Sequence, residues 1–393
     1  MKKFSANYVF PVNKPPIKNG IVVVDDSGTI LEIIDQGEKF EEKANLEHHN
    51  GIIIPGFVNT HCHLELSYLK GKIEEKKGIS EFIEGVRINR EEEIERIIEA
   101  AKKWDSIMYD FGIVAVGDIS NTELSFKIKA ESKIFYHTFI EVFGTNQLKA
   151  DEIIENANSL YRKSKEEYNL SSSLTPHAAY SLHPDLFYKL NESLQKFDIF
   201  SVHHQESLQE IELFAKMQGK LLEKIHSWGA KPETWYKTPL SSTEIILKNL
   251  PLDGHILLVH NTFTSKDEVN STINKAKNVF WVFCPNSNIY IENQLPNPEN
   301  FPQKATITIG TDSLASNNRL SVLSEIISLQ EYYPQLSINK LIEYATLNGA
   351  KALKMAQTFG SIEKGKKPGL LLIENVDLQK MKLKKESCVR RLI

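Results

Sequence analysis

Eight short apolar runs recur through the middle of the chain, and each turns abruptly polar at its C-terminal end. They are GFVNTHCHL (56–64), GIVAVGDIS (112–120), KIFYHTFIEVF (133–143), SSSLTPHAAY (171–180), IFSVHHQES (199–207), HILLVHNTF (255–263), NVFWVFCPNSN (278–288) and ATITIGTDS (305–313). Amphipathic stretches at 82–110, 151–168 and 265–277 separate several of them. Apolar strands alternating with helices predict a parallel sheet covered on both faces. Eight such units in about 300 residues predict an α/β fold of the (β/α)8 TIM-like barrel type. A doubly wound open sheet is the competing architecture, lowered by the lack of G-x-G-x-x-G after the first strand.

Both chain ends have a different texture. Residues 21–34 read as two apolar runs around DDSG, a hairpin signal, and GLLLIEN with CVRRLI repeats that character near the C-terminus. The expected organisation is a small β-sandwich domain built from residues 1–54 and 356–393 around a barrel of 55–355. Segments 65–81 and 226–243 show no periodicity and follow strand ends, where barrels carry lids and specificity loops.

Composition narrows the partners. With 47 basic and 51 acidic residues, the net charge of −4 gives no field for nucleic acid. The longest apolar runs fall far short of a membrane span, and no secretory h-region precedes the prolines at 15 and 16. Three widely spaced cysteines (Cys62, Cys284, Cys388) argue against a disulfide framework and for a reducing, cytoplasmic setting. A small-molecule substrate is expected; a homodimer is the base rate for such enzymes.

The polar strand ends carry the chemistry. His61 and His63, two residues apart, share one face of a strand. His203, His260 and Asp312 end later strands, and a barrel brings all such ends to one mouth. Three imidazoles and a carboxylate suit one divalent ion, zinc with iron as the alternative, so His61, His63, His203 and Asp312 are the expected metal ligands. Such an ion lowers the pKa of water from about 15.7 towards roughly 7. Glu206 is the expected catalytic proton shuttle, provided the chain turns after His203, since a continuing strand would point it away. Asp312 accepts a proton and His260 bonds the attacking oxygen. Alternation sends one of His203 and His204 outward; His203 is preferred because Glu206 follows at the shuttle spacing. Glu65 is either a substrate contact or a buried salt-bridge partner. Trp228 either roofs an aromatic substrate or packs under its loop.

PGFVNTHCHLELS (55–67), TPHAAYSL (175–182), HHQES, LLVHNTF, CPNSN and GTDSLAS occur in this order and resemble the amidohydrolase superfamily, more narrowly its chlorohydrolase/deaminase branch. The resemblance runs from about Ile52 through Leu353. It implies a mononuclear site on the same four ligands, Glu206 as shuttle, His260 beside the metal's water and His177 at substrate. A departure is KKPGLLLIEN, where many members carry an Ala-Asp-Leu turn. The expected reaction is hydrolytic deamination of an amino-substituted N-heterocycle of the aminodeoxyfutalosine or adenosine type. The alternatives are a cyclic-amide hydrolase or chlorohydrolase, and a non-catalytic barrel scaffold.

Overall fold

The computed structural model describes residues 1–37, 45–236 and 240–393. The eight apolar runs form β1 (Phe57–Cys62), β2 (Ile113–Ser120), β3 (Phe135–Val142), β4 (Ser171–Pro176), β5 (Ile199–His204), β6 (His255–His260), β7 (Val279–Phe283) and β8 (Thr306–Ile309). β1 to β4 pair in chain order as one parallel sheet, and β5 to β8 as a second. β4 to β8 end three to five residues before their runs do, so the polar tails of these runs belong to the loops above the sheets.

No ladder joins the two sheets among the described residues, but both seams are bonded. At one, His203 N–H donates to the His177 carbonyl at 2.8 Å, and the Thr175 hydroxyl donates to the Ser201 carbonyl at 2.7 Å. At the other, Asp312 N–H donates to the His61 carbonyl at 3.1 Å, and the Thr60 hydroxyl to the Ile309 carbonyl at 2.9 Å. Side-chain hydroxyls thus replace part of the ladder, which keeps buried strand-edge groups satisfied. Alternation sorts the apolar residues: Phe57, Val116, Leu258 and Phe283 pack in one cluster with the helices, whereas Val58, Ala115, Leu257 and Val282 pack in another that unites both sheets.

The helices differ from expectation in one place. The 82–110 stretch is two helices, Ile79–Ile88 and Ile94–Asp110. Asn89 caps the first by donating to the Gly85 carbonyl at 2.9 Å, and Lys72 holds Glu92 at 2.7 Å, fixing the chain between them. The 226–243 stretch is helical to Ser227 and again from Ser242, with 237–239 outside the described residues. In 65–81, a 3₁₀ turn spans Leu64–Leu69, and irregular chain then leads to Ile79.

The chain ends meet in one seven-stranded sheet, in the order Cys388–Arg391, Leu370–Glu374, Leu46–Pro55, Lys2–Val9, Ile21–Val24 and Ile30–Ile34, with Ile17–Lys18 also on Lys2–Val9. The 21–34 hairpin forms as expected. A facing second layer is not found among the described residues; the termini share one sheet. Leu46–Pro55 runs through Gly56 directly into β1. A Cβ at Gly56 would lie 2.2 Å from Val114 and 2.7 Å from the Pro368 carbonyl, so only glycine fits that crossing.

A buried ion pair anchors the mouth. Lys129 Nζ lies 2.6 Å from Asp118 Oδ2, both side chains fully buried, and Asp118 Oδ1 accepts the Leu64 N–H at 2.8 Å, immediately after His63. Removing one partner of such a pair strands the other charge, at about 3–5 kcal/mol. Lys129→Met is therefore expected to lower unfolding stability by that amount in urea titrations at unchanged m-value; a wild-type midpoint would show that the pair supports nothing.

Candidate functional site

The loops above β1, β4, β5, β6 and β8 converge on one cavity of about 360 Å³. His63, His177, His203, Glu206, His260, Asp312 and Trp228 all line it, and His61 is fully buried against His63. His61 Nε2 and His63 Nε2 are 3.0 Å apart, and Asp312 Oδ1 lies 3.3 Å from His63 Nε2 and 3.7 Å from His61 Nε2. Ring nitrogens of His61, His203 and His260 and an Asp312 oxygen all fall within 4.8 Å of one another. The residues singled out from distant runs are thus neighbours in space.

Local backbone explains how they get there. Gln205 (φ +43°), His260 (φ +74°), Asn261 (φ +55°) and Asp312 (φ +56°) are left-handed. Such conformations are sparsely populated outside glycine and cost of order 1–3 kcal/mol each. The turn at Gln205 swings Glu206 back over the mouth, the reversal the shuttle assignment needs. Glu206 then sits with Oε2 3.7 Å from His260 Nε2, while its Oε1 accepts the Tyr180 hydroxyl at 2.7 Å. Glu65 does not line the cavity. It takes N–H bonds from Asn121 (3.1 Å) and Thr122 (3.2 Å) and the Ser125 hydroxyl (3.1 Å), so it holds the loop after β2 rather than facing substrate.

Outer contacts orient each group. His203 Nδ1–H donates to the His177 carbonyl at 3.0 Å, which leaves Nε2 as the lone-pair nitrogen facing His61. His260 Nδ1 bonds the Asn288 side-chain oxygen at 2.8 Å, and His61 Nδ1 bonds Ser201 Oγ at 3.1 Å. Asp312 Oδ2 accepts the hydroxyls of Ser287 (2.6 Å) and Ser316 (2.7 Å), leaving Oδ1 towards the histidines. His204 turns outward to Asn261 and Thr243, as strand alternation requires. Tyr180, Ser287, Asn288 and Ser316 were not singled out from the sequence, although the motifs TPHAAYSL, CPNSN and GTDSLAS contain them.

Burial sets the protonation states. It drives His63 and His177 down to about 3 and His203 well below the usual imidazole range, so these rings are neutral near pH 7. Burial alone would raise Asp312, but the surrounding imidazoles, His61 first, hold it well below the carboxylate range. Burial raises Glu206, partly offset by His260, which suits a group that must carry a proton near neutrality. Neutral imidazoles and an ionised carboxylate with converging lone pairs are the donor set a divalent ion takes, so these residues fit a metal. Among the described residues no helix is long and apolar enough to cross a membrane.

Known proteins share this architecture. The adenosine deaminase of Helicobacter pylori is 27% identical over 365 residues, covering 88% of this chain and 87% of its own length. The aminodeoxyfutalosine deaminase of a Nitratiruptor species is 26% identical over 359 residues, covering 88% and 85%. The crystal structure of H. pylori aminofutalosine deaminase with methylthio-coformycin superposes with a TM-score of 0.76 at 23% identity, over 95% of this chain and 92% of that one. An adenosine deaminase from Xanthomonas campestris with bound zinc gives 0.71 at 18% identity, over 97% and 86%. The model of the Amidohydrolase family matches residues 52–389, and the chain belongs to that family.

Proposed function

We propose that the protein is a metal-dependent hydrolytic deaminase of an amino-substituted nitrogen heterocycle, purine-nucleoside-like in class. The observation that carries this reading is the meeting of donor atoms of His61, His203, His260 and Asp312 within 4.8 Å, with His63 against His61 and Asp312 and Glu206 against His260. The names of the relatives, adenosine and aminodeoxyfutalosine deaminases, support it. They do not favour ring opening of a cyclic amide or dechlorination, and an intact donor set argues against a mere scaffold. Residues 55–355 are read as a (β/α)8 barrel whose halves are the two four-stranded sheets, an arrangement supported by the bonded seams and the shared inner cluster. Residues 1–54 and 356–393 are read as its small β domain. The cysteine, charge and hydropathy pattern supports a cytoplasmic enzyme of small molecules.

In this reading His61, His63, His203 and Asp312 would hold one divalent ion, zinc with iron as the alternative. When bound, the ion supplies Lewis acidity and brings the pKa of water towards about 7. Water adds to the amino-bearing ring carbon, and the amine departs as ammonia. Glu206 delivers a proton to the ring nitrogen as the tetrahedral centre forms. His260, fixed by Asn288, holds the attacking oxygen through its free Nε2. Asp312 Oδ1, its other oxygen being held by two serines, takes up one proton of the water and passes it to the departing amine, and Glu206 regains its proton from the new hydroxyl as the carbonyl forms. His177, tied to Ser181 at 2.8 Å, orients the heterocycle, and Trp228 covers it.

Metal-loaded protein is expected to release ammonia from at least one aminopurine nucleoside in a panel of aminopurines, aminopyrimidines and their nucleosides; silence across the panel defeats the reading. Glu206→Gln should lower kcat at least about 10³-fold while keeping its metal, as loss of a proton-transfer group implies. Near-normal turnover would remove the shuttle role. Elemental analysis should find about one ion per chain, and a free ion concentration a hundredfold above Kd should stabilise the fold by about 2.7 kcal/mol. Asp312→Asn should lose most of both effects; retention of both would take Asp312 out of the ligand set.

A further inference from the structure

The cavity carries a carboxylate that the chemistry above does not use. Glu141 stands near the end of β3, in register with Thr175 of β4, and lines the cavity with only 8% of its surface exposed. Its Oε2 accepts the Asn121 side-chain N–H at 2.9 Å. Its Oε1 is buried and has no hydrogen-bond partner. The nearby His203 Nδ1, at 3.8 Å, does not supply one, because its hydrogen goes to the His177 carbonyl. Asn121 cannot supply a second one readily, since its oxygen is held by Arg90 Nη2 at 3.3 Å, which fixes the amide. Among the described residues no lysine or arginine forms an ion pair with Glu141.

A buried carboxylate oxygen without a donor is costly, and more so than a neutral group. Its neighbours Asn121, His177 and His203 have fixed partners, so the bare oxygen marks where a bound molecule donates. Glu141, His177 and His203 do lie with ligand atoms within 4.8 Å of one another. A second metal there is disfavoured, because the His203 nitrogen on that side is the one that carries a hydrogen.

Position identifies the donor. Glu206 is held by Tyr180, whose ring is 5.9 Å from that of His177, and His177 in turn adjoins Glu141. A heterocycle with its reacting edge at Glu206 and its far edge at His177 directs the substituent on that far edge towards Glu141. In a nucleoside that substituent is the sugar, and its donors are hydroxyls. We propose that Glu141 is a specificity residue that accepts a hydrogen bond from a sugar hydroxyl of the substrate; this rests on the deaminase reading above and deepens it.

The test crosses enzyme and substrate changes. Metal-loaded wild type and the variants Glu141→Gln and Glu141→Leu are assayed for ammonia release from adenosine, 2′-deoxyadenosine and 3′-deoxyadenosine. Binding of each nucleoside is measured in parallel by calorimetry. In wild type, loss of one hydroxyl should lower kcat/KM at least about 10-fold, because a site built to bond a hydroxyl rejects the analogue lacking it. In Glu141→Leu that penalty should shrink to within about 2-fold, with Glu141→Gln between, as expected when the hydroxyl and the carboxylate interact with each other. A merely structural glutamate would lower all three substrates equally and leave the penalty intact, which overturns the proposal. Equal wild-type use of all three nucleosides overturns it too, with the deaminase reading untouched. If no nucleoside is deaminated but calorimetry shows the hydroxyl penalty and its loss in Glu141→Leu, the sugar contact stands and the deaminase reading fails. No binding of any nucleoside sinks both.

Discussion

Several lone pairs are aimed at one point inside a place where water is scarce, and the rest of the molecule is arranged around that constraint. His61 Nε2, His63 Nε2 and Asp312 Oδ1 stand 3.0–3.7 Å apart, and the His203 ring lies 4.9 Å from that of His61 and 5.5 Å from that of His63. Burial suppresses protonation of His63 and His203, so these two rings keep their lone pairs near neutral pH. Such a cluster is unfavourable on its own and becomes favourable with a cation at its centre. The outer atoms of the same groups are fixed by Ser201, Ser287, Ser316 and the His177 carbonyl, so the side chains cannot rotate away.

The cluster lies across both seams of the scaffold. His61 ends the edge strand of the first sheet with His63 just beyond it, Asp312 follows the last strand of the second sheet, and His203 stands near the C-terminal end of the second sheet's first strand, against the loop after β4. Each seam is closed by few bonds, several of them from threonine hydroxyls. The relative placement of the two half-sheets therefore sets the donor distances, and an ion at the centre would in return tie the halves together. Left-handed residues at 205, 260, 261 and 312 sit at these same strand ends. That concentration of strain where the chemistry lies is what preorganisation demands.

Much of this was legible in the chain because it depends on period and on residue type. The eight apolar runs gave strands within a residue or two at their N-terminal ends, since burial on both faces leaves an unbroken apolar signature. His61, His203, His260 and Asp312 were legible because polar residues at the end of such runs have no packing reason to be there. The C-terminal strand limits were not legible: φ reversals at Gln205 and His260 leave no mark in hydropathy. The helix break at Asn89 was hidden because it depends on Lys72 and a cap, which periodicity does not register. Glu65 and Glu141 illustrate the same limit. Both are carboxylates near strand ends, and only three-dimensional contacts show that one is saturated by a loop while the other keeps a bare oxygen.

The two aperiodic segments have a physical role that follows from what they contribute. The polar floor comes from the strand ends, but Leu66, Ile79, Phe82, Val86 and Trp228 on the cavity wall come from the helix and loops within or beside residues 65–81 and 226–243. Apolar walls bind without direction, and the few polar groups below fix orientation. In the proposed reading a flat heterocycle would meet both demands, with Phe82 and Trp228 on the wall available to its faces and Glu206 and His177 to its edges. On the proposed reading, selectivity among such molecules would arise where the walls give way to polar groups, on the side bounded by Asn121, Glu141 and Phe143. Change in the loops can retune what is admitted without moving any donor on the floor, because wall and floor are carried by different parts of the chain.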